Sequence, residues 1–194
     1  MKNITNNEMV FVLTIFKSPE VQYNANSISE VMGISRMGAL KIARRLEKES
    51  IIFSKELGKA KFYELNFAND YVRDYIKFLL KREAEQSNPY IKMWISEIKK
   101  IKSADAAILF GSTLKKHKDA KDIDILIITD KKRFPGLKKE IEEINSINIK
   151  KLHPIYQTKE DFIKNIKKGD KVVLNAIKGV IVFGEEIIIL LLQK

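Results

Sequence analysis

The stretch that decides the fold covers residues 108–128 and reads ILFGSTLKKHKDAKDIDILII. Two apolar segments flank a polar, lysine-rich loop that begins with Gly111 and Ser112. Continuous apolar segments bounded by turn residues are typical of buried strands. The stretch therefore predicts a strand, a loop and a second strand.

Two aspartates open the second of these strands. Asp122 and Asp124 are alternate residues, and alternate residues of a strand lie on one face. Ile123 and Ile125 should then point into the core. Two carboxylates on one face repel each other unless a cation neutralises them, so we expect a divalent metal there. The structural alternative is a loop whose aspartates only cap a turn.

The Gly-Ser pair suits an anionic ligand at the same place. Gly111 would let a ligand approach the backbone closely, and Ser112 would offer a hydroxyl and N–H groups to an anion such as a triphosphate. Magnesium takes one or two carboxylates and completes its shell with water and phosphate oxygens. The cofactor that this pattern indicates is therefore Mg2+.

A Gly-Ser pair followed, after a short loop, by Asp-x-Asp between apolar strands resembles the signature of the DNA polymerase beta superfamily, particularly its minimal nucleotidyltransferases. The resemblance covers residues 89–194. It implies magnesium-dependent transfer of a nucleoside monophosphate from a nucleoside triphosphate to an acceptor hydroxyl. By that resemblance, Asp122 and Asp124 are catalytic and hold the metal, while Gly111 and Ser112 bind the β- and γ-phosphates.

Several positions depart from the pattern of that family. A third carboxylate normally lies on a neighbouring strand, but the predicted strand over residues 147–157 contains no Asp or Glu. His153 is the candidate base there, although a histidine before a proline is equally compatible with a structural role. Leu114 and Lys115 stand where an arginine is common, and Lys121 where a serine is common; we expect both lysines to contact phosphates. Carboxylates elsewhere in this half are the alternative third ligands: Asp105, Asp130 and Glu160.

The first third of the chain predicts three helices. Apolar residues at helical spacing over residues 5–17 predict the first, which ends before a proline. The second is short, begins with Ser27 or Ser29 as its cap and ends at Gly33. The tight connection to the third helix is typical of a helix-turn-helix.

The third helix and the segment after it predict a DNA-binding surface. Ala39, Ala43 and Leu46 form an apolar arc, and basic residues lie opposite; the alternative is an ordinary solvated basic face. A hairpin with Gly58 at its turn follows. Residues 1–66 thereby resemble the winged-helix domains of bacterial and archaeal transcription regulators, whose third helix enters the major groove while the wing touches phosphates. The candidate DNA-binding residues are Arg36, Lys41, Arg44 and Arg45 on the helix and Lys55, Lys59 and Lys61 on the wing.

Composition agrees with polyanionic partners. The 194 residues carry a net charge of +11, of which +3 falls on residues 1–88 and +8 on residues 89–194. Such an excess favours nucleotides or nucleic acid, although coding bias or thermal adaptation would give the same composition. The absence of cysteine and the presence of only two histidines exclude a Cys/His metal centre.

The expected fold is α+β: a winged helix-turn-helix over residues 1–66, a connecting helix over 67–88 and an α/β nucleotidyltransferase-like domain with a small mixed sheet over 89–194. The connecting helix is a candidate homodimer surface. No apolar run approaches the length of about 20 residues that a membrane span needs, so we expect a soluble, cytoplasmic protein. Two functions remain open: a nucleotidyltransferase acting on nucleic acid, or a DNA-binding regulator whose inactive domain senses a nucleotide or a partner.

Overall fold

Both helices and strands occur along residues 4–193, which are the part of the chain that the computed structural model describes. The chain divides into two units between Leu79 and Leu80. A helix, α4 (Tyr71–Glu85), crosses this division inside the predicted connecting segment; the three-part division of the sequence stays a prediction. The first unit also contains α1 (Asn6–Phe16), β1 (Tyr23–Asn24), α2 (Ala25–Met32), α3 (Arg36–Lys48), β2 (Ile52–Leu57) and β3 (Ala60–Leu65).

The helix-turn-helix is defined by its caps. The prediction that Ser27 or Ser29 begins the second helix is wrong, because Asn24 lies earlier and accepts the Ser27 N–H through its side chain at 3.0 Å. Ser27 completes the same capping box as an acceptor, since its hydroxyl oxygen accepts the Asn24 N–H at 3.0 Å. Gly33 ends the helix in the left-handed region with φ of 64°, as expected. Ser35 caps α3 by accepting the Gly38 N–H at 3.1 Å.

The wing is an antiparallel hairpin of β2 and β3 with Gly58 in its turn at φ of 63°. The two-residue strand β1 adds to its other side, so the sheet order is β1-β3-β2. Strand β1 is not predictable from the sequence, because two residues are too short for an alternating pattern. The order of three helices and a hairpin is that of a winged helix-turn-helix, as predicted.

The second unit is a four-stranded mixed sheet with helices packed on it. The strand order is β6-β5-β4-β7, in which β4 is antiparallel to β5 and β7 while β5 is parallel to β6. This confirms the predicted α+β class with a small mixed sheet. Its elements are α5 (Pro89–Ile98), β4 (Ala106–Phe110), α6 (Thr113–Lys116), a 3-10 helix (His117–Asp119), β5 (Ile123–Ile128), α7 (Phe134–Ile147), β6 (Leu152–Gln157), α8 (Lys159–Lys167), α9 (Lys171–Ile177), β7 (Val180–Phe183) and α10 (Glu185–Leu192).

The alternation along β5 fixes how this strand faces the core. Ile123 and Ile125 are fully buried, and they join one apolar cluster with Trp94 of α5 and Leu137 of α7. Burial of one such side chain stabilises the fold by about 1.5–3 kcal/mol. A slip of one residue would expose both isoleucines and bury Asp124, so the register of β5 is strongly specified.

The strand predicted over residues 147–157 is half as long as expected. Helix α7 continues to Ile147, because Ile141 and Ile144 extend its buried stripe. The side chain of Asn148 then donates to the Ile144 carbonyl oxygen at 2.9 Å, and β6 begins at Leu152. The first part of the strand prediction was therefore wrong.

Strand β6 lies at one edge of the sheet, and this position accommodates its proline. Pro154 has no backbone N–H and is tolerated in a strand at a sheet edge. Among residues 4–193, no helix combines the length and the apolar character that crossing a lipid bilayer requires.

Candidate functional site

The centre of the site is a close approach between Gly111 and Asp124. Gly111 follows β4 with φ of 80°, and the neighbouring Phe110 pairs with Asp124 across the antiparallel ladder. A Cβ atom on residue 111 would lie 2.1 Å from Asp124 Oδ2. Glycine is therefore required twice, once for its backbone conformation and once because the carboxylate fills the space of a side chain.

The two predicted metal ligands differ in exposure. Asp122 immediately precedes β5 and is exposed, whereas Asp124 lies within the strand and is half-buried. The burial of Ile123 and Ile125 places Asp124 on the face away from the α5 and α7 core. Within residues 4–193, no group of three or more His, Cys, Asp or Glu side chains is arranged to hold a metal ion.

His153 occupies the strand position beside Asp124. The two residues are paired in the parallel ladder of β5 and β6, and His153 Nδ1 lies 3.4 Å from Asp124 Oδ1. The imidazole is 73% exposed, so its other face meets solvent. The structure thus brings His153 next to the carboxylate, where the family resemblance leads one to expect a third acidic residue.

The alternative third ligands lie too far away. Asp105 precedes β4, Asp130 follows β5 and Glu160 lies in α8, directly after β6. Because β4 is antiparallel to β5 while β6 is parallel to it, all three lie at the end of the sheet opposite Asp124. Strands rise about 3.3 Å per residue, so the six residues of β5 separate the two ends by roughly 20 Å. The suggestion that one of them completes the site is wrong.

The predicted phosphate-binding residues lie on the loop after β4. Ser112 is exposed and makes no side-chain capping bond to α6. Lys115 and Lys121 are exposed as well, on either side of the 3-10 helix. Thr113 is fully buried, and its hydroxyl has no hydrogen-bond partner within the described part of the chain. The predicted residues of the loop therefore present one hydroxyl and two ammonium groups to solvent. Lys116 and Lys118 of the same loop are exposed as well.

A lysine that the sequence analysis did not select anchors this loop. Lys150 Nζ donates to the carbonyl oxygens of Lys118 and Ala120 and lies 5.9 Å from the centre of the Tyr90 ring. These contacts join the turn before β6 to the segment that leads into Asp122. No local pattern could have indicated a contact across about 30 residues, because charged residues in turns are ordinarily solvated.

On α3, the structure confirms the buried arc and divides the basic residues into two kinds. Arg36, Lys41 and Arg44 are exposed. Arg45 is held instead by two carboxylates, with Nη1 2.6 Å from Glu8 Oε1 and Nε 3.2 Å from Glu49 Oε1. The hydrogen bond to Glu49, with the nearby Glu8 charge, raises the pKa of Arg45. Arg45 thus joins α3 to the buried Glu8 of α1.

On the wing, two of the three predicted lysines form surface ion pairs. Lys55 Nζ lies 2.9 Å from Glu64 Oε2, and Lys61 Nζ lies 3.3 Å from Glu56 Oε1. Lys59 is exposed in the turn. Exposed pairs of this kind contribute about 0–1 kcal/mol, so a phosphate can compete for either lysine at small cost.

Comparison with known proteins identifies the second unit. Residues 92–184 match the family described as Polymerase beta, Nucleotidyltransferase. No curated protein matches the chain. Among solved structures, the adhesin competence repressor AdcR of Streptococcus pyogenes is 10% identical with a TM-score of 0.38, covering 52% of this chain and 70% of that chain. ZitR of Lactococcus lactis is 13% identical with a TM-score of 0.32, covering 52% and 73%.

The family match rests on the half of the chain that contains Gly111, Ser112, Asp122 and Asp124. The winged helix rests on the order of α1, α2, α3, β2 and β3 in the structure itself. The chain therefore combines an N-terminal winged helix-turn-helix with a C-terminal unit whose residues 92–184 match the polymerase beta, nucleotidyltransferase family.

Proposed function

We propose that the C-terminal unit binds a nucleoside triphosphate with Mg2+ and transfers a nucleoside monophosphate to an acceptor hydroxyl. The observation that carries this proposal is the contact of Gly111 with the Asp124 carboxylate. A side chain at residue 111 would collide with Asp124 Oδ2, and a chain that needed only a turn would not require this approach. The close approach instead places the Asp124 carboxylate directly beside the loop, so that a metal ion held by the carboxylate and a phosphate bound by the loop would be neighbours.

The side chains present fit magnesium. Asp122 and Asp124 supply hard oxygen donors, and one or two carboxylates are what magnesium takes when phosphate oxygens complete its shell. When bound, the ion would neutralise phosphate charge while the acceptor oxygen attacks the α-phosphorus and pyrophosphate leaves. His153 is a poorer ligand for this ion, so the site favours one well-held magnesium.

The chain itself would position the triphosphate and handle one proton. Ser112 donates its hydroxyl to a terminal phosphate, and the ammonium groups of Lys115 and Lys121 offset the remaining negative charge. The neutral imidazole of His153 accepts the proton of the acceptor hydroxyl, since its exposed ring lies beside Asp124. Base assistance of this kind contributes typically about 100- to 10,000-fold to a rate.

The N-terminal unit would place this chemistry on duplex DNA. Of the predicted DNA-binding residues on α3, those that are exposed are Arg36, Lys41 and Arg44. Lys59 is exposed in the turn of the wing. A homodimer would form through α4, where Tyr71 and Phe78 are exposed two turns apart. Cations that contact phosphates make DNA binding dependent on salt.

The second candidate is a DNA-binding regulator whose nucleotide site has lost turnover. One observation favours it: no third carboxylate accompanies Asp122 and Asp124 within the described residues. Such a protein would still bind the triphosphate, because binding needs only the loop and the two aspartates. The two candidates therefore differ in turnover alone.

Two variants of one residue separate these candidates. The full-length protein is incubated with labelled nucleoside triphosphates, magnesium and hydroxyl acceptors that include DNA ends. If the enzyme proposal holds, transfer is measurable and falls at least about 100-fold in His153→Ala. His153→Asp, which installs a carboxylate beside Asp124, should raise transfer above that of the parent.

Binding is measured on the same proteins by calorimetry. Asp122→Asn/Asp124→Asn should abolish magnesium-dependent triphosphate affinity, whereas Asp119→Asn on the same loop is the matched control and should keep it. Absence of transfer in the parent and in His153→Asp, with affinity intact, favours the regulator. Equal triphosphate affinity in the double variant and the parent would contradict both candidates.

A further inference from the structure

A cavity of about 250 Å³ lies at the end of the sheet away from Asp124. Thr129, which follows β5, and Gln157, the last residue of β6, line its floor, and the Thr129 N–H donates to the Gln157 carbonyl oxygen at 3.0 Å. The carboxyl ends of parallel strands are where open α/β sheets most often bind ligands. Thr129 comes five residues after Asp124, roughly 16 Å along the strand direction, so this is a separate site.

Two aromatic rings form one wall of the cavity. Phe134 and Tyr156 meet edge to face, with ring centres 4.8 Å apart and planes at 88°. Burial, with a smaller contribution from Glu142, raises the pKa of Tyr156, so its phenol stays protonated at neutral pH and remains a hydrogen-bond donor. A wall of this kind favours a planar ring as the ligand.

Ion pairs fix the lip that carries Phe134. Asp130 Oδ1 accepts the Arg133 N–H at 3.0 Å, and Asp130 Oδ2 lies 2.7 Å from Arg133 Nε. The same guanidinium reaches Asp105 Oδ1 at 2.7 Å. Asp130 is therefore committed to positioning the lip, and its charge is neutralised.

The opposite lip of the cavity also contacts Asp105. Lys159 Nζ at the start of α8 lies 3.3 Å from Asp105 Oδ2, so both lips of the cavity converge on Asp105. The Gln157 side chain of the floor accepts a hydrogen bond from Asn165 Nδ2 at 2.8 Å. These contacts hold the cavity open without a ligand, which lowers the cost of binding one.

The remaining polar groups define what would bind. Asp161 Oδ2 accepts the Thr158 hydroxyl at 2.9 Å, which orients this exposed carboxylate at the rim and leaves Oδ1 as an acceptor. Lys131, also exposed and lining the cavity, supplies an ammonium donor. The volume is below the range of about 300–1,000 Å³ typical of small-molecule sites, so the ligand is small.

We propose that this cavity binds a nucleobase that carries an exocyclic amino group, as the free base or its nucleoside. The ring would pack against Tyr156 and Phe134, its amino group would donate to Asp161, and a ring nitrogen would accept from Lys131. Because the site lies far from Asp124, its occupant is an additional ligand and not the acceptor of a transfer.

The test is calorimetric titration of the full-length protein with adenosine and with inosine. These nucleosides differ along one edge of the purine: adenosine has an amino group at C6 and an acceptor nitrogen at N1, whereas inosine has a carbonyl oxygen at C6 and an N1–H. Magnesium is removed by a chelator, and neither ligand has a phosphate. Adenosine should bind saturably and inosine about tenfold more weakly, since a carbonyl group facing Asp161 leaves that acceptor unpaired.

Variants locate the binding. Asp161→Asn should abolish the preference for adenosine while keeping the hydrogen bond to Thr158, so it tests the contact without disturbing the fold. Tyr156→Leu should weaken the binding of both nucleosides. Thermal unfolding of this variant shows whether the protein is still folded. Asp122→Asn/Asp124→Asn should bind adenosine like the parent.

Three results would overturn the proposal. The first is the absence of saturable adenosine binding by the parent. The second is equal affinity for adenosine and inosine. The third is binding that survives Tyr156→Leu and disappears in Asp122→Asn/Asp124→Asn, because the nucleoside would then occupy the site at Gly111.

Discussion

The two ends of the C-terminal sheet treat their carboxylates in opposite ways. At one end, Asp105 and Asp130 are each bound to Arg133. At the other end, Asp122 is exposed, and the basic side chain beside Asp124 among residues 4–193 is the imidazole of His153, at 3.4 Å. Carboxylates that are already neutralised shape the protein, and carboxylates that lack a cation can hold one. The contrast indicates which end suits Mg2+.

The variant with the largest expected effect on the difference between the two ends is Gly111→Ala. The added Cβ would lie 2.1 Å from Asp124 Oδ2, so either the loop or the carboxylate must move. Magnesium-dependent triphosphate binding should be abolished, as calorimetry would show. The left-handed backbone alone costs about 1–2 kcal/mol, and the collision should add to this cost in thermal unfolding.

Gly169→Ala is the matched control for this change. Gly169 has φ of 71°, and a Cβ there would meet nothing within 4 Å. Gly169→Ala therefore has the free-energy cost of the left-handed backbone without a collision. Both glycines lie in the C-terminal unit. If both alanine variants lose the same stability and both keep binding, the close approach of Gly111 to Asp124 has no functional meaning.

A second test makes the same substitution, aspartate to asparagine, at each end of the sheet. Asp124→Asn removes one of two charged ligands and should weaken magnesium-dependent triphosphate binding at least about tenfold, or ~1.4 kcal/mol, without lowering the unfolding temperature. Asp130→Asn should do the reverse, because it deprives Arg133 of one partner. Calorimetry measures the triphosphate affinity of both variants, and thermal unfolding measures their stability. A loss of affinity in Asp130→Asn equal to that in Asp124→Asn would refute the division of roles.

A third test concerns the loop between the two halves of the site. Lys150→Met removes the hydrogen bonds to the Lys118 and Ala120 carbonyl oxygens. Hydrogen bonds from a charged group contribute about 1.5–3 kcal/mol, so the loop should loosen and triphosphate affinity should fall several-fold. Lys151→Met is the control, since Lys151 donates to the Asn145 and Asn148 carbonyl oxygens, away from this loop. Equal affinities in the two variants would show that Lys150 does not position the loop.

The smallest expected effect is the acid dependence of the neutralised end. Hydrogen bonds from Arg133 lower the pKa of Asp130 below its ordinary value of 3.8. A lowered carboxyl pKa stabilises the fold fully above the ordinary value, and this contribution is lost as pH falls through the folded-state pKa. Asp130→Asn should therefore show a shallower fall of unfolding temperature with pH in this acid range. Asp119→Asn controls for the loss of one carboxylate, and a slope in Asp130→Asn as steep as that of the parent would contradict the pairing.

Much of the fold was predictable because it rests on local patterns. Strand β5 is fixed by the burial of Ile123 and Ile125, and the helix-turn-helix by caps such as Gly33 and Ser35. Boundaries were predicted less well. Helix α7 ran on to Ile147, three residues past Ile144, which is the last buried residue of its stripe, and β6 began only at Leu152.

The candidate site was predictable only where its residues lie close together in the sequence. Gly111 and Asp124 were selected from their sequence spacing, and the family match covers both. The neighbour of Asp124 depends on the register of β5 and β6, which brings His153 beside it. The antiparallel pairing of β4 with β5 places Asp105 at the far end of the sheet. Arg45 shows the same limit on α3, since its basic character predicted DNA contact while its nearest partners are carboxylates of its own unit.

The proline of the edge strand has a consequence for assembly. In β6, odd-numbered residues face β5, as the bonds from the Ile123 and Thr129 N–H groups to residues 151 and 157 show, so even-numbered residues turn their backbone outward. Of these, Leu152 donates its N–H to Asn145 Oδ1 at 2.7 Å, and Pro154 has none to donate. Within β6, Tyr156 is the one outward position left to offer a donor. A strand from another molecule would find few bonds along this rim, so pairing of this kind is disfavoured beside the exposed His153 side chain.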